Sequence, residues 1–104
     1  MSFQRFWSEL QTKLKPRVTV KNWTAAKGYL GDQFTIVVVS TNCVEIDSPN
    51  AENRQYVPKG DFEVMYNNWD AYCSKKLQRQ ELIVMTRFSK YTMSIIKHLS
   101  GEPA

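Results

Sequence analysis

Phe34-Thr35-Ile36-Val37-Val38-Val39 is a run of aromatic and β-branched residues, and such a run favours a strand over a helix. Its end is apolar on both faces, as a central strand is. A strand cannot satisfy its own backbone N–H and C=O groups, so it needs partners. The flanking sequence supplies them. Arg17-Val18-Thr19-Val20-Lys21 alternates with period two. Cys43-Val44-Glu45-Ile46-Asp47 alternates again, with Val44 and Ile46 inward, and follows Thr41-Asn42 at hairpin spacing. Gln55-Tyr56-Val57 forms a short last strand that Pro58 ends. Gly28 to Gly31 reads as a loop or turn, and Asp47-Ser48-Pro49-Asn50 as a turn cluster. The expectation is a three- or four-stranded antiparallel sheet within residues 17–57, with an edge left open by the hairpin from Phe34 to Asp47.

Helices flank that sheet. Ser2 is a suitable N-cap for a first helix, in which Phe3, Phe6, Trp7, Leu10 and Leu14 form one apolar stripe. Pro16 stops this helix at about Lys15. Gly60-Asp61 opens a second helix running to about Lys75, with Phe62, Met65, Tyr66, Trp69, Tyr72 and Cys73 on its apolar face. Gln80 to Thr86 is a short helix. Ser89 caps a last helix bearing Tyr91, Ile95, Ile96 and Leu99, which Gly101 and Pro103 end. Strands first and helices after predict a segregated α+β fold, not an alternating α/β one. The 104 residues fit one domain, 1–104.

Composition narrows the function. No uninterrupted apolar run exceeds the four residues of Ile36 to Val39, far too short to span a membrane. Met1 to Leu14 mixes Arg5, Glu9 and Lys13 into its apolar residues and lacks a signal-peptide core, so a cytoplasmic location with two free thiols is expected. Charge is segmented. Residues 1–30 carry net +5, residues 31–72 net −5 and residues 73–104 net +4. Basic ends and an acidic middle can pair within one chain or between two.

No catalytic constellation is visible. Cys43 and Cys73 have one candidate base, His98, and no spacing brings either thiol to it. There is no Gly-rich phosphate loop, no paired-cysteine zinc spacing and no Glu–His metal motif, so neither cofactor nor metal is expected. Asp61 and Glu63 stand two apart on a helix and do not face each other. The expected function is a non-catalytic binding or interaction module that self-associates, a dimer being favoured, with an unidentified protein or small molecule as a further partner. Phe62, Tyr66, Trp69 and Tyr72, together with Trp7, are the candidate ligand or interface residues, because Tyr and Trp pair an apolar face with a polar handle.

Two resemblances add expectations. Phe34-Thr35-Ile36, Val57-Pro58-Lys59-Gly60-Asp61-Phe62-Glu63, Trp69, Tyr72, Arg79, Glu81-Leu82 and Arg87-Phe88-Ser89-Lys90-Tyr91 together resemble small uncharacterised bacterial proteins, some similar to products of mobile integron gene cassettes. That resemblance spans roughly residues 30–100 and implies a compact, often oligomeric α+β domain without an assigned reaction. Glu81 to Ile96 resembles a helix-turn-helix, in which a short helix, a tight turn and a Ser-capped recognition helix follow one another. Phe88, Ser89, Thr92, Met93 and Ser94 match that pattern, whereas Arg87 stands where the turn usually carries Gly and Ile83 where a small residue is usual. The alternative function it implies is a DNA-binding regulator using residues 80–99. Arg87, Lys90 and Lys97 would contact phosphates, and Tyr91 and Thr92 would reach base edges.

Overall fold

The computed structural model describes residues 2–49 and 51–100. Helix α1 (Phe3–Lys13) leads into four strands, β1 (Thr19–Thr24), β2 (Gly28–Val39), β3 (Cys43–Asp47) and β4 (Gln55–Pro58). Four helices follow: α2 (Lys59–Asn67), α3 (Trp69–Cys73), α4 (Arg79–Met85) and α5 (Ser89–Leu99). The strands form one antiparallel meander in the order β1-β2-β3-β4. The fold is therefore α+β, as the order of periodicities implied.

The first helix begins as its sequence dictates. Ser2 accepts a hydrogen bond from the Arg5 amide at 3.2 Å, satisfying one of the donors that a helix start leaves unpaired. Pro16 ends it. The Lys15 carbonyl accepts from the Val18 amide across Pro16-Arg17, and Arg17 takes a φ of +74°, the geometry of a turn that normally carries glycine in that position. Trp7 donates through Nε1 to the Thr41 carbonyl at 2.9 Å and Gln11 through Nε2 to the Ser40 carbonyl at 2.8 Å. These two bonds tie α1 to the β2–β3 turn.

One face of the sheet is the core. Val20, Phe34, Ile36, Val44, Ile46 and Val57 alternate inward and meet Trp7, Leu10 and Leu14 from α1, Phe62 from α2 and Ile95 from α5. A second cluster, Met65, Tyr72, Leu82, Met93 and Ile96, fills the space among the C-terminal helices. The opposite sheet face stays open, with Tyr56 and Val38 exposed on it.

Four expectations are corrected. The hairpin from Phe34 to Asp47 leaves no open edge, because β2 and β3 are the two central strands. The true edges are β1 and the four-residue β4. The Trp23 amide of β1 is taken by the Ser94 hydroxyl at 3.0 Å, and β4 is short and ends in proline, both means of blunting an edge. Gly28 to Gly31 belongs to β2 and not to a loop. The turn is Ala25-Ala26-Lys27, and Gly28 at φ +71° closes it. Gly31 at φ +96° then sits in a register shift that sets Leu30, Gly31 and Asp32 against Asn22. Asn22 is buried at this shift, and neither end of its side-chain amide has a hydrogen-bond partner among the described residues.

The second helix is two helices. Asn68 leaves helical geometry at φ −108° and ψ 7°, its Nδ2 donates to the Val64 carbonyl at 2.7 Å beside its own backbone amide, and the next helix starts at Trp69. Ser89 is a buried first-turn residue of α5 and not its cap. Phe88 is the N-cap, and its amide donates to the Thr86 hydroxyl at 3.2 Å. Gly101 and Pro103, expected to end α5, and Asn50 of the expected turn lie outside the described residues.

Candidate functional site

The aromatic residues singled out by their spacing are engaged inside the chain. Trp7 and Phe62 stack obliquely with ring centroids 5.3 Å apart, both essentially without solvent exposure. Tyr72 is buried, accepts from the Ala25 amide at 3.0 Å and donates to the Met93 sulfur at 3.3 Å. Trp7 and Phe62 therefore have no surface to offer a partner, and Tyr72 keeps only a small part of its ring open. The physical reason is that the aromatic stripes of α1, α2 and α3 face one another. Tyr66 packs on Phe6 and Phe3 at 4.9 and 5.6 Å, and Trp69 packs on Trp23 at 5.6 Å. Tyr66 and Trp69 are left half-buried.

The five residues offered to DNA are not gathered on one exposed face. Thr92 is fully buried and bonds back to the Phe88 and Ser89 carbonyls. Tyr91 stands edge-on to Phe34 at 5.1 Å. The Lys90 ammonium lies 3.8 Å from Asp32, and that of Lys97 lies 5.2 Å over the Trp23 ring. Arg87 alone is exposed, over Phe88. Helix α5 carries Ser89, Thr92, Met93, Ser94, Ile95 and Ile96 inward, so it is a core helix lying on β1.

What lies open is α4. Leu82 alone of its seven residues is buried, whereas Ile83, Val84 and Met85 are 52%, 87% and 49% exposed. A helix that is apolar nearly all round its last turn normally has something packed on it. This surface was legible in principle, because four consecutive apolar residues in so short a helix cannot all face one core.

Beside α4 runs a cleft of about 590 Å³. Its near wall is Ile83 and the α3–α4 connection, its far wall the β1–β2 turn with Leu30, and Tyr72 forms part of its lining. Among the described residues, three cations, Lys27, Lys75 and Arg79, line it, and no Asp or Glu does. Two features of the backbone shape it. The register shift at Gly31 sends Leu30 outward instead of into the sheet face. At the end of α3, the Lys76 amide donates to the Ala71 carbonyl at 2.9 Å and the Lys75 amide to the Tyr72 carbonyl at 3.1 Å, a left-handed helix stop with Lys75 at φ +67°. Glycine is the usual occupant there. Lys75→Gly is expected to raise the unfolding free energy by about 1 kcal/mol, since a side chain in this conformation costs about that much. A shift in the urea midpoint checks it, and an unchanged or lower midpoint would contradict the strain.

Cys43 is half-buried on β3 with its sulfur 3.3 Å from the Ser40 hydroxyl, Cys73 is exposed at the end of α3, and His98 is exposed near the end of α5. Among the described residues no group of three or more His, Cys, Asp or Glu could hold a metal ion, and no helix is long and apolar enough to cross a membrane. Comparison with protein-family models, with curated proteins and with solved structures returns no match.

Proposed function

We propose that this protein is a non-catalytic interaction module that self-associates, with α4 of one copy laid against α4 of another. The observation that carries this is the exposure of Val84 at the centre of an otherwise unpartnered apolar turn. The sequence around it is self-complementary. Glu81 and Arg87 are both exposed and stand three positions either side of Val84. In an antiparallel two-fold pairing centred on Val84, the first turn of each α4, where Glu81 also accepts from the Gln78 amide at 3.1 Å, faces the other copy's basic end just beyond its helix at Arg87, so one surface serves both partners. Met85 flanks the axis and loses its exposed area with Val84, whereas Ile83 faces the cleft beside α4. A patch built on one seven-residue helix belongs to the small end of interface sizes, below about 1,200 Å² in total, which corresponds to reversible, micromolar association.

The test is sedimentation or light scattering across a concentration series. The intact chain is expected to shift from monomer to dimer mass in the micromolar range. Val84→Glu places two carboxylates at the axis and should leave only monomer. Arg87→Glu should also weaken pairing, and adding Glu81→Arg to it should restore much of what was lost, with helix content followed by circular dichroism. A monomer at every concentration, or a dimer indifferent to Val84→Glu, would defeat the proposal.

A further inference from the structure

The cleft beside α4 has the chemistry of a ligand site in its own right. Its volume, about 590 Å³, lies within the usual range for small-molecule sites. Its apolar lining comes from side chains with nothing polar left to offer. Leu30, Leu77 and Ile83 are aliphatic. Tyr72 presents its ring, because its hydroxyl is already committed to the Ala25 amide and the Met93 sulfur. Around this lining stand Lys27, Lys75 and Arg79, and none of them has a carboxylate within ion-pair distance among the described residues. Unpaired cations occur elsewhere on the surface, but these three border one apolar cleft, and four other cations among the described residues are ion-paired. Arg5, Lys13, Arg54 and Lys90 each lie within 4 Å of an acid. An apolar cavity bordered by three uncompensated positive charges selects for one ligand chemistry, an apolar body carrying an anionic head.

We propose that this cleft binds a small organic anion with an apolar body, its carboxylate or phosphate held by Lys27, Lys75 and Arg79 and its body lying against Leu30, Tyr72 and Ile83. Head and body reinforce each other. Anchoring the head at the border leaves the chain no direction but inward, and burial of the chain excludes water from the ion pairs. Neutral or cationic molecules with the same body lose the head contacts or meet repulsion. The site does not depend on pairing through Val84, whose side chain is not part of the lining.

The experiment is calorimetric titration of the full chain with decanoate, decyl phosphate, decanol and decyltrimethylammonium, each below its micelle concentration, and with inorganic phosphate. Saturable binding of decanoate or decyl phosphate is expected, with decanol and the cation at least about tenfold weaker, as loss of a charge-assisted contact predicts. The ratio between the first two ligands tells a carboxylate from a phosphate head. Lys75→Gln and Arg79→Gln should each weaken the preferred anion about tenfold, and Leu30→Asp should weaken it further. Lys76→Gln, outside the lining, should leave it unchanged, and so should Val84→Glu. Equal binding of decanol would overturn the assignment, as would inorganic phosphate matching decyl phosphate. Indifference to Lys75→Gln and Arg79→Gln, or no saturation by either anion up to about 1 mM, would overturn it too. Binding only to anionic lipid vesicles or to an acidic peptide, with neither small anion bound, would also count against it.

Discussion

Phe62→Ala is expected to lower the unfolding free energy by about 4 kcal/mol, the range for truncating a fully buried aromatic ring. Phe62 has no solvent exposure and fills the space between Trp7 and the sheet residues of the core. Its removal would leave a cavity lined by α1, α2 and the sheet, all rigid elements that collapse poorly into it. Small domains carry only about 5–15 kcal/mol in total, so the variant should unfold at much lower urea or sit near its midpoint at physiological temperature. Tyr66→Ala, on the same helix but half-buried, should cost clearly less. Urea denaturation followed by far-ultraviolet circular dichroism separates the two. If both truncations cost the same, Phe62 does not occupy the core position described, and the aromatic stripe would be free to serve as an interface after all.

The second large effect is expected at Thr86, a buried residue between α4 and α5. Its hydroxyl donates to the Asp61 carboxylate at the start of α2 and accepts from the Phe88 amide at the start of α5. One oxygen thus joins three helices. Thr86→Val preserves shape and removes both bonds. It leaves a half-buried carboxylate and a helix-start amide without that partner, which should cost about 2–3 kcal/mol because one of the bonds is to a charged group. Thr86→Ser keeps the hydroxyl and should recover most of the loss. Amide hydrogen exchange would show where the loss falls, with protection at the start of α5 reduced ahead of the sheet. Equal stability of Thr86→Val and the parent would mean that the junction is held by packing alone.

The order of periodicities in the chain was enough to establish an α+β fold with an antiparallel sheet. An alternating strand and a 3.6-residue stripe bury different faces, and each local pattern admits one element type. Ser2, Pro16 and Pro58 act within a few residues of themselves, so their effects on α1 and β4 could be read directly. Three things required the tertiary structure. The break at Asn68 is a departure of one residue's backbone from helical geometry, and a 3.6-residue stripe continues across it without a sign. The place of β2 and β3 at the centre of the sheet depends on which strands pair, which alternation does not encode. Above all, burial at the aromatic stripes is a property of pairs. Phe62, Trp7 and Tyr72 look the same on a helical face whether a partner protein or their own α1 and sheet cover them. Only their meeting inside the chain removed them from the surface and left α4, with Val84 outermost, and the basic cleft beside it as the open chemistry of the molecule.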